Sequence, residues 1–285
     1  LIATTALRIA AACGAAMLAG CATLPPADRA YLDAYDTAEK AGRPFTPVTD
    51  THASLTLPGA YRVQAALVRR RLATGDRIAG YKGGLMSQAS LKARGVAEPL
   101  SAVLFRSGQV DSGTPVSLCG YRKGSFEMKL GFIFGRAPRH PARDAATLMQ
   151  AVTRVVPVVD LPDIGYRNPD AYSAVDMIAA NVSAARYVVG RTGPPGVLDL
   201  DALAVAMTRD GMPITKGFGR ESFGSQRESL LAVVRAIARS GHRVKAGDLV
   251  ITGKIGERGW LPPGAYLADY GPLGVVRFSA ESCPG

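Results

Sequence analysis

No zinc-site spacing occurs among the four cysteines of this 285-residue chain, Cys13, Cys21, Cys119 and Cys283, so cysteine carries no metal motif here. No run of five or six basic residues occurs either, although lysine and arginine (34) outnumber aspartate and glutamate (23). The densest cluster is Arg69-Arg70-Arg71, on a segment that reads as an amphipathic helix, and no nucleic-acid motif accompanies it. A nucleic-acid partner is not expected. The apolar run at residues 9–18 is too short for a comfortable membrane span. No repeat and no internal linker interrupts the chain after residue 54. The roughly 230 residues beyond that point suffice for one large core.

What the first twenty residues do contain is the layout of a targeting segment. Arg8 is a lone positive charge, residues 9–18 are apolar, and Leu18-Ala19-Gly20-Cys21 closes the segment with small residues before a cysteine. This resembles the bacterial lipobox, which implies that Cys21 carries lipid and becomes the first mature residue. A buried Ala-rich helix is the competing reading of the same run. On the lipobox reading residues 1–20 are a signal peptide. The mature chain then lies in the cell envelope, on the periplasmic side, with the membrane as partner through its anchor. Cys119 and Cys283 remain. In an exported chain they suit a disulfide, but spacing leaves two unpaired buried thiols equally open. Residues 21–285 keep every charged residue except Arg8, a formal charge of +10 (33 − 23). That excess reads as a solvated basic face beside anionic lipid.

Residues 21–54 read as a tether and a helix over 26–41, and residues 55–285 as one α+β domain. Further helices are expected over 59–74, 145–151 and 226–239, the last lined by Leu230, Leu231, Val234 and Ile237 and stopped at Gly241. Strand-like segments fall at 130–134, 155–161, 185–189, 203–209, 249–251 and 274–278. Glycine and proline break them up as in a curved, mixed sheet. The most telling strand covers 124–134. Phe126, Met128, Leu130, Phe132 and Phe134 fall on one face, expected to be core; Glu127, Lys129, Gly131 and Ile133 fall on the other.

Several landmarks then follow one another in a set order. Ala60-Tyr61-Arg62-Val63-Gln64 precedes Gly80-Tyr81-Lys82-Gly83-Gly84-Leu85 and Gly95-Val96-Ala97-Glu98-Pro99. After these come Asp-x-x-Ala-x-Asn-x-Ser at 176–183, Gly217-Phe218-Gly219 with Gly224, and Gly247-Asp248-Leu249-Val250-Ile251-Thr252-Gly253. Each is weak alone. The ordered set resembles the 2-keto-4-pentenoate hydratase family of the fumarylacetoacetate hydrolase superfamily. The resemblance implies an α+β fold, a fumarylacetoacetate hydrolase-like mixed β-roll with flanking helices, here with a helical N-terminal portion. It also implies lyase chemistry on a small 2-oxo acid. In that chemistry Mg²⁺ or Mn²⁺ chelates the carboxylate and 2-oxo oxygens, while a lysine and carboxylates move protons.

Carried over residue by residue, the resemblance is partial. Lys82 matches the turn lysine and Glu127 the first metal carboxylate of the family's Glu-x-Glu strand. The second carboxylate falls on Lys129, a cation with donors and no lone pair to offer. The third falls on Asp160, and a family aspartate falls on Leu100, which does no proton chemistry. Glu127, Lys129 and Asp160 are thus expected to form a degenerate metal site, with no cofactor and the family's Mg²⁺ or Mn²⁺ lost. Expected catalytic residues are Lys82, Lys129 and Glu127; expected substrate-binding residues are Leu85, Asp176, Asn181, Thr252 and Gly253.

Plainer readings stand beside these. Lys82 suits a solvated turn, Glu127 and Lys129 a surface salt bridge, and Asp176 and Asn181 a helix start. If the strand face lies in a pocket, the Lys129 ammonium is expected to pair with Glu127 and Asp160 and take the vacated place. Two functions follow. One is a 2-keto-4-pentenoate hydratase-like lyase, metal-independent or of reduced activity. The other is a non-catalytic, membrane-anchored lipoprotein that keeps the scaffold to bind a small acid. A lesser third is Schiff-base chemistry by a desolvated lysine. A homo-oligomer is compatible with all three.

Overall fold

A computed structural model describes residues 24–191 and 198–284; the signal-like segment and Cys21 lie outside the described residues. The described chain opens with helices α1 (Pro26–Lys40), α2 (Val48–Thr51) and α3 (Leu57–Ala73). Then come β1 (Ile78–Gly84), α4 (Gln88–Ala93), β2 (Leu100–Phe105), β3 (Gln109–Asp111), β4 (Val116–Ser117) and β5 (Ser125–Phe134). These are followed by α5 (Ala145–Met149), β6 (Val152–Leu161), α6 (Ala174–Ala179), β7 (Arg186–Val189), β8 (Ala204–Arg209) and β9 (Met212–Phe218). The chain closes with α7 (Gln226–Arg239), β10 (Leu249–Ile251), β11 (Ile255–Trp260), β12 (Gly264–Asp269) and β13 (Val275–Glu281).

Among the described residues the strands form two sheets. The larger has eight strands in the order β2-β1-β10-β5-β6-β7-β3, with β11 also pairing β5; the smaller runs β4-β13-β12-β8-β9. In the larger sheet β1–β10 and β3–β7 are parallel and the other pairs antiparallel. This is the mixed, curled α+β architecture expected from the sequence. Gly80 lets β1 close on β10: at its φ of +154° a side chain would put Cβ 1.9 Å from the Leu249 carbonyl oxygen.

The apolar row of β5 is core. Phe126, Met128, Leu130, Phe132 and Phe134 are all buried, in one cluster with Leu230, Val233, Val234 and Ile237 of α7. The other face of the sheet is not solvent either. Beyond Gly131 it packs Val156, Val158, Leu249 and Ile251 against Ala79, Leu104 and Tyr187. At the Glu127 end that face turns polar. The N-terminal helices rest on the domain through a separate cluster, in which Tyr31, Leu32, Phe45 and Val48 meet Val63, Tyr166 and Ile178.

Alternation does not mark β1, because Ala79 to Gly84 are buried on both faces, nor β2, which is buried throughout. Cys119 and Cys283 are joined, with Cα atoms 5.1 Å apart, and both are exposed. The reading of two buried thiols therefore does not hold. No helix among the described residues is long and apolar enough to cross a membrane.

Candidate active site

The antiparallel register of β5 and β6 sets Glu127 opposite Asp160 and Lys129 opposite Val158. Side chains two apart on a strand share a face, so Glu127 and Lys129 both point toward Asp160. On the far side of β10, β1 brings Lys82 to the same place. The Lys129 Nζ lies 2.8 Å from Glu127 Oε2 and 2.8 Å from Asp160 Oδ2, and Lys82 Nζ donates to the same Oδ2 at 2.9 Å. Lys82 is 2%, Lys129 3% and Asp160 0% exposed. These are not the exposed ion pairs of a strand surface. Tyr270 fixes the strands here: its hydroxyl accepts from the Lys129 N–H at 3.2 Å and donates to the Val158 carbonyl at 2.6 Å.

Burial opposes every charge in this cluster, and the partners decide which survive. Burial alone pulls the Lys129 ammonium down, but Asp160 and Glu127 outweigh it and hold Lys129 well above the ordinary lysine value. Asp160 is pushed up by burial, yet Lys129 and Lys82 hold it below the ordinary carboxylate range. Lys82 ends below the ordinary lysine value, because burial and the Lys129 ammonium together exceed the pull of Asp160 and Glu127. Two ammonium groups and two carboxylates leave the cluster formally neutral. Asp160 Oδ1 is buried with no hydrogen-bond partner.

The cluster opens into a cavity of about 680 Å³. Lys82, Glu127 and Lys129 line it, together with Leu85 and Gly253 of the expected substrate-binding set. Leu85 is held at φ +57°, a left-handed backbone that turns the chain away from the end of β1. Gly253 has no room for a side chain, since a Cβ would sit 2.3 Å from Ser222 Oγ and 2.4 Å from Met86 Cβ.

The structure does not bring Asp176, Asn181 or Thr252 to this cavity. Asp176 closes a capping box with Ser173 at the start of α6 and accepts from the Thr49 N–H at 2.9 Å. Asn181 pairs with the Val103 backbone, accepting from its N–H and donating to its carbonyl, both at 2.9 Å. Thr252 donates to Gln226 Oε1 at 2.7 Å. All three have their polar atoms engaged within the protein, so they hold the frame. Sequence reasoning missed Arg94, Lys254 and Arg258 at the cavity mouth and Tyr172, Met177 and Val182 on its wall. Lys254 adjoins the motif ending at Gly253, and Met177 and Val182 fill unspecified places of the motif at 176–183; nothing in the sequence marks Arg94, Tyr172 or Arg258.

The residues present do not fit a divalent cation held as the family holds it. Where the resemblance implies a second carboxylate, Lys129 brings an ammonium, and the Asp160 oxygen facing it already accepts from two lysines. No group of three histidine, cysteine, aspartate or glutamate side chains converges as a metal site among the described residues.

No family model matches the chain. Curated relatives do. The 2-keto-4-pentenoate hydratase of Paraburkholderia xenovorans (strain LB400) is 29% identical over 248 residues, 86% of this chain and 91% of that protein. 2-Keto-4-pentenoate hydratase 2 of Dechloromonas aromatica (strain RCB) is 31% identical over 233 residues, 81% of this chain and 87% of its own. The chain belongs to the 2-keto-4-pentenoate hydratase family. A solved family fold agrees: 4-oxalocrotonate decarboxylase from Pseudomonas putida G7, complexed with magnesium and adipate, superposes with a TM-score of 0.83 at 25% identity. It covers 90% of this chain and 97% of that one. The hydratase-family scaffold is thus present almost whole, while the cluster at its centre carries Lys129 among the carboxylates.

Proposed function

We propose that this protein is a hydratase-type lyase scaffold that binds a small 2-oxo acid without a metal ion, the Lys129 ammonium standing where the family implies a dication. The observation that carries this reading is Lys129 Nζ at 2.8 Å from both Glu127 and Asp160, on the floor of a cavity that Lys82 also lines. The charge arithmetic supports it. One lysine, three carboxylates and a dication sum to zero, as do two lysines and two carboxylates. In the low-dielectric floor of a cavity, neutrality is what makes either set tolerable. Lys129 and Lys82 present N–H donors to the carboxylate and 2-oxo oxygens of the acid. Glu127, whose side chain is 19% exposed, is the carboxylate placed to exchange a proton with substrate.

Binding without turnover is the second reading, and one observation favours it. Leu100 is buried, and Glu98 turns outward to pair with Arg239 at 3.0 Å, so neither supplies an acid to the cavity. Calorimetry with oxalate in EDTA tests the shared part of both readings. Binding unaffected by chelator is expected, and Lys129→Glu should gain Mg²⁺ affinity. Tight Mg²⁺ binding by the unmodified protein, with acid binding lost to EDTA, would overturn the metal-free reading. Turnover of a 2-hydroxypentadienoate-type substrate then separates enzyme from binding protein.

A place in the cell envelope, with lipid on Cys21, belongs to the same proposal. Its support is the Leu18-Ala19-Gly20-Cys21 sequence and the exposed Cys119–Cys283 pair, which suits an oxidising compartment. Metabolic labelling with fatty acid tests it: label and membrane fractionation should both be lost in Cys21→Ala.

A further inference from the structure

We propose that the exposed face formed by β9 and β11 docks the protein on an anionic lipid surface. Its apolar side chains enter the headgroup layer, and the cations among them meet lipid phosphates. This goes beyond the oxo-acid reading and does not depend on it.

Six large apolar side chains are exposed among the described residues, and four of them, Met212, Ile214, Phe218 and Trp260, fall on these two strands. Scattered exposed apolar residues are ordinary; four on two adjoining strands make a patch. Met212, Ile214, Lys216 and Phe218 are every second residue of β9, and all four are exposed. The two strands lie side by side and run in opposite directions. Gly256 fits against Gly217 and Lys216, and the Glu257 N–H donates to Thr215 Oγ1 at 2.9 Å. Continued that way, β11 carries Arg258 and Trp260 toward the Met212 end of β9.

Charge complementarity names the occupant. Arg209, Lys216, Arg220, Lys254 and Arg258 on or beside the two strands, with Lys123, make six cations against three carboxylates, Asp210, Glu221 and Glu257. Arg209 and Lys254 have Asp210 and Glu257 at 3.6 and 3.2 Å. Three of the other cations sit over the exposed rings. Lys123 Nζ is 4.1 Å and the Arg258 guanidinium 5.1 Å from the Trp260 ring, and the Arg220 guanidinium is 4.3 Å from the Phe218 ring. Rings faced by cations suit the headgroup level of a bilayer, where the ring is half dry and the cation reaches phosphate. A stable contact with a second copy would instead put these charges at its centre, where such interfaces are depleted of charge. Chain length agrees. With lipid on Cys21 as proposed above, residues 22–25 before α1 extend at most about 14 Å, which keeps the domain against the bilayer. That last argument borrows the anchor; the charge pattern stands without it. Arg258 also lines the cavity mouth, so the docked face lies beside the entrance.

Trp260 is the only tryptophan of the chain, so its fluorescence reads this face directly. The full chain carrying Cys21→Ala, which cannot be acylated there, is titrated with two kinds of vesicle. One holds phosphatidylglycerol and phosphatidylcholine in equal parts, the other phosphatidylcholine alone. On the anionic vesicles Trp260 emission should shift to the blue, be quenched by doxyl-labelled lipid and recover in high salt. On phosphatidylcholine alone neither change is expected. Lys216→Gln with Arg220→Gln, neither of which lines the cavity, should weaken binding about 30-fold, as the loss of two cations near an anionic surface does. Met212→Ser should weaken it through lost apolar contact, and circular dichroism checks that each variant folds. Trp260 emission unshifted on anionic vesicles overturns the inference, and if the chain still binds them, membrane contact belongs to the N-terminal segment alone. Equal response to both vesicles overturns it too, as does a Trp260 that is dry without lipid and becomes wet on dilution, the sign of a second copy on this face. None of these outcomes touches the oxo-acid reading, which calorimetry with oxalate tests separately.

Discussion

The turn Asn181–Ser183 stands between two cavities of similar size, about 680 Å³ around Lys82 and Lys129 and about 640 Å³ around Arg70, Arg122 and Arg186. Both are rich in cations, and they treat those cations differently. In the arginine cavity Arg70 takes Asp33 at 2.7 Å and Asp36 at 2.6 Å near the surface, and Arg122 takes Asp163 at 2.8 Å in the interior. Asp163 is fully used, since its other oxygen accepts the backbone N–H groups of Arg122 and Lys123. In the lysine cavity two ammonium groups crowd one oxygen of Asp160 and the second oxygen has none. Volume and charge therefore do not distinguish a site from a structural cleft here. Each also leaves a buried polar atom unpaired, Arg122 Nη1 in one and Asp160 Oδ1 in the other; what separates them is the carboxylate, since Asp163 has both oxygens engaged and Asp160 only one.

The largest expected effect comes from Asp160→Ala, which leaves two buried ammonium groups around Glu127 alone. It should cost about 3–5 kcal/mol in urea unfolding, as breaking a buried pair does. A loss below about 1 kcal/mol would erase the contrast between the cavities. Phe132→Ala gives an apolar yardstick on the neighbouring strand, and a fully buried phenylalanine should also cost about 3–5 kcal/mol. A much smaller value would mean that the strand faces are reversed.

Asn181→Ala probes the wall between the cavities. Three successive residues there have positive φ, Asn181 at 52°, Val182 at 50° and Ser183 at 54°, which is costly for a β-branched valine. The Asn181 amide pins the turn to the Val103 backbone; without it a buried N–H and carbonyl go unpaired, at about 2–3 kcal/mol. The same denaturation curves read the loss, and oxalate binding should weaken with it because Val182 lines the lysine cavity.

Acid sharpens the comparison further. The folded state holds Asp160 below its ordinary 3.8, so the unfolded chain binds more protons in that window. The stability Asp160 contributes is present above pH ~4 and is lost as pH falls below that range. Base acts through the lysines with opposite signs. Lys82 is depressed, so stability rises with pH as its ordinary 10.5 is approached from below; Lys129 is raised, so its contribution is lost only as pH climbs above 10.5. Urea midpoints from pH 2 to 8 should fall on the acid side by more in the unmodified protein than in Asp160→Asn. Equal acid limbs would remove Asp160 from the account. The smallest effect belongs to the arginine cavity: Asp36→Ala breaks a part-exposed pair and should cost less than about 1 kcal/mol by urea unfolding.

Much of the fold is legible in the order of the residues. The helix Gln226–Arg239 follows from its apolar stripe, and the buried face of β5 follows from five large apolar residues alternating with Glu127, Lys129, Gly131 and Ile133. β1 and β2 are not legible as strands by alternation, because both of their faces are covered and a fully buried strand carries no period. The candidate site divides in the same way. Lys129 beside Glu127 on one strand face is a local fact of spacing. The motif residues Asp176, Asn181 and Thr252 read as ligands in sequence, but each has a nearer protein partner.

Residue identity and local spacing settle which groups are available. They put a lysine at 129 where the family resemblance calls for a carboxylate, aspartate at 160 and leucine at 100, and strand periodicity sets Glu127 and Lys129 side by side. The pairing of distant strands settles the rest: Lys82 and Lys129 share one oxygen of Asp160, the other oxygen is left bare, and Arg94, Lys254 and Arg258 stand at the mouth. The reason is one of range. Which face a side chain takes is set by a few adjacent residues, whereas a buried charge is governed by what lies within about 3 Å of it, and contacts between segments far apart in the chain determine that.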